Sequence, residues 1–348
     1  MKNYLKIEDF YNKEHSTLEI IDVRSPSEFL KDHIPGSVNY PVLNDEERSQ
    51  VGEIYSTNPF EAKKIGSALI CRNLAKLIET VWSKKDKSWT PVLYCWRGGQ
   101  RSKSVAHIFE KIGWKSWIIE GGYKSYRRYV LKNTIKIVNN LSLIVICGLT
   151  GSGKTRLLNC LGKKKQILDL EEIASHRGSL LGSIPSKLQP SQKMFESMLL
   201  QKLKALDLEK KIYVESESKK IGNIHIPESL INIMRKSECI WIELPDKERV
   251  KLLCEEYQHF INDQEKLKPL ISKLKEINKL PDHFKCEGLE NKENLNKLVL
   301  NLLKYHYDPA YEKSIQKNFT KVQNARKMNI KNLKNYSDIA AEEFKRLG

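Results

Sequence analysis

The sequence predicts a two-domain α/β protein with mostly parallel sheets, and three observations carry that prediction. Short apolar runs alternate with helical stretches, the pattern of strands joined by helical crossovers. One such run, Leu143 to Ile146, feeds directly into Gly148-Leu-Thr-Gly-Ser-Gly-Lys154-Thr155, which reads as a strand, a glycine-rich loop and a helix start. Another strand, Pro91 to Tyr94, runs into Cys95-Trp-Arg-Gly-Gly-Gln-Arg101, a second glycine-bearing loop that opens a helix at Ser102. At 348 residues the chain is long enough for two cores. The domains are expected over 1–130 and 131–348, the second with added helices toward its end.

Taken in order, Leu18 to Arg24 reads as a short buried strand, and Ser25-Pro26 starts a short helix over Ser27 to Lys31 before a turn at Pro35-Gly36. From Glu61 to Trp82, Ala68, Leu69, Leu74, Leu77, Ile78 and Val81 recur at helical spacing and predict one or two amphipathic helices. Cys71, inside that stretch, is expected to be a buried small apolar residue. The helix after Cys95 should stop at Gly113. A strand follows from Trp114 to Glu120, then a helix from Lys124 that runs nearly to the Leu143 strand. No Gly/Ser linker intervenes, so the halves are expected to be packed rather than tethered. Later strands are predicted at Gln166 to Leu170, Lys211 to Glu215 and Cys239 to Leu244, with amphipathic helices over Lys247 to Lys304. Tyr305-His-Tyr-Asp-Pro-Ala-Tyr311 interrupts them with aromatics, which either stack on a base or pack a terminal helix.

Composition narrows the function classes. No apolar run approaches membrane-spanning length and no leader pattern is seen, so a cytoplasmic protein without a membrane partner is expected. The seven cysteines, at 71, 95, 147, 160, 239, 254 and 286, are odd in number and form no Cys-x-x-Cys pair, which argues against a disulfide framework or a structural zinc site. The net charge is +17, and residues 1–130 hold 21 basic against 16 acidic residues, so the excess lies mainly in the later part. That part is the candidate polyanion face, although Lys outnumbers Arg 47 to 13, which compositional bias alone also produces.

The two loops carry the chemistry. Around 148–155, Gly148, Thr150, Gly151, Ser152 and Gly153 allow consecutive backbone N–H groups to curl round phosphate oxygens. Lys154 adds a full charge, and the Thr155 hydroxyl can hold Mg²⁺. At the other loop, backbone N–H groups at a helix N-terminus converge with Arg97 and Arg101 on Cys95. That environment favours a thiolate nucleophile, and the same cradle of Gly98, Gly99, Gln100 and Ser102 would accept an oxyanion. Buried packing alone needs neither the paired glycines nor the flanking arginines. Strand-end polar groups make Glu215 either a ligand for Mg²⁺ or water, or a solvated carboxylate. In the loop His176-Arg-Gly-Ser179, Arg177 is expected to reach a phosphate, and the alternative is that His176 is a satisfied, partly buried residue with no role.

Asp22-Val23-Arg24, Glu28-Phe29, His33-Ile-Pro-Gly-Ser37, the Cys95 loop and Glu120-Gly-Gly-Tyr123 together resemble a rhodanese domain, over essentially the first 130 residues. The Cys95 loop is one residue longer than in ordinary sulfurtransferases of that fold and resembles the phosphatase branch. Joined to a P-loop NTPase-like half, to Asp169-Leu-Glu171 through Ser179, to Val214-Glu-Ser-Glu-Ser218 with Ile221-Gly222, and to Tyr307-Asp-Pro309, the chain resembles the bacterial tRNA 2-selenouridine synthase family. It departs from that pattern at Lys219, where Arg is expected, and at Leu181, where an aromatic is usual.

The resemblance implies a transferase acting on the wobble 2-thiouridine of tRNA. Geranyl diphosphate first gives an S-geranyl intermediate, and selenophosphate then supplies selenium. In that scheme the P-loop cradles the diphosphate, Asp169, Glu171, Arg177 and Glu215 line a second site, and Cys95 receives selenium while its loop and Arg101 hold the departing phosphate. The partners implied are tRNA and a selenophosphate-supplying enzyme. No tightly bound cofactor beyond Mg²⁺ is expected, and the oligomeric state is open. The alternative is an ATP-using, kinase-like P-loop enzyme whose rhodanese domain carries sulfur.

Overall fold

A computed structural model describes residues 3–11, 18–162, 165–178, 182, 184, 187–256, 292–334 and 336–346. The chain divides into two compact units, one of residues 1–134 with 190–201, the other of 135–189 with 202–348. In the first, five strands are β1 (Asn3–Leu5), β2 (Ile20–Asp22), β3 (Val38–Asn39), β4 (Val92–Tyr94) and β5 (Trp117–Ile119). They pair in parallel in the order β1-β5-β4-β2-β3. β4 is central, and its Val-Leu-Tyr is buried throughout, as a strand covered on both faces must be. Cys95 therefore emerges at the carboxyl end of the middle strand, where open α/β sheets place ligands.

In the second unit β6 (Leu143–Gly148), β7 (Gln166–Leu168), β8 (Ile212–Glu215), a short antiparallel hairpin of β9 (Lys220–Ile221) and β10 (Ile224–His225), β11 (Glu238–Glu243) and β12 (Arg326–Asn329) follow in sequence. The main sheet is parallel, in the order β12-β11-β6-β8-β7. β6 is fully buried at the centre; its own crossover runs to β7 on one side and the connection from β8 returns past it to β11 on the other, so the loop after β6 sits at a topological switch point. Its core is built from Ile144, Ile146, Leu157, Leu158, Ile240 and Ile242 with neighbours.

Several expectations change in detail. The Glu61 to Trp82 stretch is one helix, Pro59–Leu77, that widens into a π-turn at Ile78–Trp82. Cys71 is exposed rather than buried, because Ile70 and Leu74 take the core face of that helix. A helix at Asp45–Thr57 is absent from the sequence reading; it buries no residue, so its apolar periodicity is weak, and Asn44 and Glu47 form its capping box. Of the Lys247 to Lys304 helices, Asp246–Glu256 and Lys292–Leu302 are seen, while residues 257–291, including Cys286, lie outside the described residues, as does Leu181. Lys292–Leu302 passes through a π-turn, Leu303–Tyr307, into a helix at Asp308–Asn318. No described helix is long and apolar enough to cross a membrane.

Candidate functional sites

At the first loop, Cys95 is buried and its Sγ lies 3.2 Å from the Gly99 N–H donor and 3.2 Å from the Ser102 hydroxyl. The sulfur thus faces the first turn of the helix Gln100–Ile112. Gly98 sits at φ +63°, and a Cβ there would meet the Ile119 carbonyl at 2.8 Å. Gly122, at φ +56°, is tighter still, since a Cβ would overlap the Cys95 carbonyl and the Gly98 nitrogen. Hydrogen bonds from Tyr123 N to Cys95 O (2.8 Å) and from Lys124 N to Trp96 O (3.0 Å) fasten the loop from behind.

The two arginines differ. Arg97 and Gln100 are exposed, and Arg97 makes no ion pair among the described residues. Arg101 is held bidentate by Glu28, at 2.6 and 3.2 Å, and against the penalty of burial it keeps the Glu28 carboxyl below its usual range. Its charge is engaged by the short helix Pro26–Lys31 rather than left open above the sulfur. Behind the loop, Arg24 is buried against Asp22 and the Asp32 carbonyl and stacks on Tyr123 at 4.1 Å. The Asp-Val-Arg triplet is thereby a buried brace.

The second loop is braced on its backbone side. Gly151 and Gly153 take φ values of +74° and +82°, and a Cβ on Gly153 would strike the Tyr336 ring. Tyr336, from the helix Tyr336–Arg346, donates to the Gly153 carbonyl at 2.7 Å. Arg249 donates twice to the Thr150 carbonyl (2.7 and 2.9 Å) and pairs with Asp308 at 2.6 and 2.9 Å. The Gly148 N–H donates to the Tyr311 hydroxyl at 3.2 Å, and Lys154 Nζ, 2.9 Å from the Gly148 carbonyl, lies 5.2 Å from the Tyr311 ring centre. The buried Ser152 hydroxyl has no partner among the described residues.

In front of this loop is a cavity of about 650 Å³, bordered by Thr150, Gly151, Gly153, Lys154 and Thr155. Glu171, Glu215 and Glu217 meet there, each offering an oxygen within 4.8 Å of the others. β8 is the neighbour of β6, with Glu215 opposite Ile146, so Glu215 ends the strand beside the phosphate loop. Burial and mutual repulsion raise the Glu171 and Glu215 carboxyls; burial, then the nearby Asp169, raises Glu217, while Lys154 opposes all three shifts. Glu215 is 4% exposed, and its Oε1 has no partner among the described residues. Three convergent carboxylates with an unsatisfied buried oxygen, beside a threonine hydroxyl, fit a hard divalent cation such as Mg²⁺. Gly178 makes room for the cluster, since a Cβ there would meet Glu171 at 2.8 Å and Glu217 at 3.1 Å.

Of the residues singled out from sequence, Lys154, Thr155, Glu171, Arg177 and Glu215 come together around this cavity. Arg177 also donates to the Glu256 carbonyl at 2.7 Å. Asp169 instead caps the helix Leu170–Ala174, accepting from the Glu172 N–H at 2.7 Å, and contributes only its charge. Glu217, Arg249 and Tyr336 went unremarked as site residues. Glu217 lies two residues past the end of β8, so strand periodicity does not mark it, and it meets Glu171 through the adjacency of β7 and β8. Tyr311 belongs to the phosphate loop's surroundings, where its hydroxyl lies 2.7 Å from the Ser216 hydroxyl, so the cluster at 305–311 does more than pack a helix.

Residues 7–129 match the rhodanese-like domain family, and residues 141–280 match a family described as the tRNA 2-selenouridine synthase AAA domain. Proteins named tRNA 2-selenouridine synthase are similar along much of the chain. One from Nitrosomonas europaea is 38% identical over 243 residues, 68% of this chain, and the match spans 63% of that protein, less than two thirds of its length. One from Bdellovibrio bacteriovorus is 36% identical over 74% of this chain and 69% of its own. One from a Sulfurovum species is 31% identical over 90% of this chain and 93% of its own. With both domain families matched in order and a relative aligned over nearly its whole length, the chain belongs to the tRNA 2-selenouridine synthase family.

Proposed function

We propose that this protein is a cytoplasmic transferase that converts the wobble 2-thiouridine of tRNA to 2-selenouridine through an S-geranyl intermediate. The observation that carries the reading is the pairing, in one chain of this family, of a buried thiol facing the Gly99 N–H and the Ser102 hydroxyl with a braced phosphate loop that opens on an acidic cavity. In the first step the thiouridine sulfur attacks C1 of geranyl diphosphate. A C–S bond forms, the C–O bond breaks, and diphosphate leaves with its charge against Lys154 and the loop N–H groups. Thr155, Glu215 and the neighbouring Glu171 and Glu217 would hold Mg²⁺, which supplies neutralisation of diphosphate charge. The excess of basic residues in the later part of the chain suits a tRNA backbone.

In the second step selenium bonds to C2 of the base as the geranyl thiol leaves. Selenium in selenophosphate is already at the selenide level, so moving it onto the Cys95 sulfur with loss of phosphate would need an oxidant that the reaction does not contain. The sequence-based role of Cys95 as selenium acceptor is therefore revised. A balanced role is attack of the Cys95 thiolate on phosphorus: the S–P bond forms as the P–Se bond breaks, selenium stays on the base, and water then frees phosphate. The loop N–H groups and the exposed Arg97 would hold that phosphoryl group, whereas Arg101 must leave Glu28 to reach it.

The test is nucleoside mass spectrometry after incubation of the protein with 2-thiouridine tRNA, geranyl diphosphate and selenophosphate. The reading expects S-geranyl-2-thiouridine without selenophosphate and 2-selenouridine with it. Unchanged tRNA in both, together with Lys154-dependent ATP turnover, would instead favour the kinase-like alternative.

A further inference from the structure

The cavity is larger than a diphosphate requires, and the wall opposite the carboxylates has a regular design. Tyr307, Tyr311, Ile315 and Phe319 all border it, and they stand four residues apart, on one face of the helix Asp308–Asn318 and its two flanking positions. The near end of this row is fixed to the phosphate loop, since Tyr311 accepts from the Gly148 N–H. The far end is apolar and buried, with Ile315 3% and Phe319 5% exposed. An α-helix advances about 1.5 Å per residue, so Phe319 stands about 12 Å along the axis from Tyr311. Leu252 closes the same apolar space from the helix Asp246–Glu256.

Of the polar groups on this wall, the Asn318 amide donates back to the Ser314 carbonyl at 2.8 Å. Arg235 has a buried Nε without a partner among the described residues, and its cation suits a second phosphate. An occupant with one anionic end and one linear apolar chain about 12 Å long matches both ends of this wall, as a prenyl diphosphate would.

We propose that the Tyr311-Ile315-Phe319 face is a ruler for that chain, with Ile315 and Phe319 setting the longest prenyl group accepted. This rests on the reading of the phosphate loop as a prenyl-diphosphate site. The experiment compares kcat/KM for five-, ten- and fifteen-carbon allylic diphosphates on 2-thiouridine tRNA, using the full chain as wild type, Phe319→Ala, Phe319→Leu and Ile315→Phe. Thermal unfolding of each variant identifies those that fold. Phe319→Ala should raise the fifteen- to ten-carbon ratio, and Ile315→Phe should raise the five- to ten-carbon ratio, each by about tenfold or more, the least that pocket length differences of this kind are worth. Where Phe319→Ala does not fold, the graded Phe319→Leu and the space-filling Ile315→Phe decide. Unchanged ratios in folded variants, with wild type active on the ten-carbon substrate, overturn the ruler alone. Wild type inactive on all three chains, but protected from thermal unfolding by ATP, overturns the prenyl reading and the ruler with it.

Discussion

The Cys95 loop and the Gly148–Thr155 loop both leave a buried parallel strand and enter a helix through left-handed glycines, yet they close on different things. At Cys95 the glycines bring the backbone in on a single sulfur, and the strongest nearby cation, Arg101, is tied to Glu28. At the phosphate loop the backbone is pinned from behind by Arg249 and Tyr336, so its N–H face and Lys154 stay turned toward a cavity of about 650 Å³. The same local geometry thus closes on a thiol in one unit and opens on an acidic cavity in the other. Both loops are braced from behind, so what differs is what each faces: the Cys95 sulfur in one, the cavity in the other.

That contrast breaks most sharply at the two central residues. Cys95→Ala removes the nucleophile that breaks the P–Se bond, so it should abolish 2-selenouridine while geranylation without selenophosphate proceeds as in wild type. Lys154→Ala should slow geranylation by about 10²- to 10³-fold, the usual cost of losing one preorganised charge-stabilising donor. Steady-state nucleoside analysis separates these outcomes.

Next in size is the acidic cluster. Glu215→Gln should weaken Mn²⁺ or Mg²⁺ binding, read by calorimetry, by at least the about 10- to 100-fold that loss of a supporting group costs at a metal site. The same change leaves the Cys95 loop untouched and should not alter alkylation of its thiol. Gly122→Ala sharpens the comparison from the other side. Its Cβ cannot fit against the Cys95 carbonyl, so the first unit should lose more than about 1 kcal/mol in urea unfolding. The smallest effect is expected from Tyr336→Phe, which removes one hydrogen bond to Gly153 and should cost about 1 kcal/mol of stability.

The parts legible in the sequence are those that backbone chemistry dictates. Glycines forced into positive φ mark both loops, and the buried runs at β4, β6 and β8 mark the centres of the two sheets. The parts that stayed hidden depend on approach in space. Glu171 and Glu217 lie far apart in sequence and meet only because β7 and β8 are adjacent. Arg249 and Asp308 look like ordinary charged helix residues until their pairing places both against the phosphate loop. β12, with the sequence Arg-Lys-Met-Asn, buries only Met328 and carries almost no apolar signal because it is an edge strand. The engagement of Arg101 by Glu28 was equally invisible, since a basic residue in such a loop reads the same whether open or paired.

The central claim is that the two loops perform separate, consecutive reactions, and a relay tests it most directly. Cys95→Ala protein is given 2-thiouridine tRNA and geranyl diphosphate, the tRNA is repurified, and Lys154→Ala protein is then added with selenophosphate alone. The account predicts 2-selenouridine from the relay and none from either variant acting alone on 2-thiouridine tRNA within the same time. A relay that leaves the geranylated nucleoside unconverted, while wild-type protein converts the same tRNA, would contradict it.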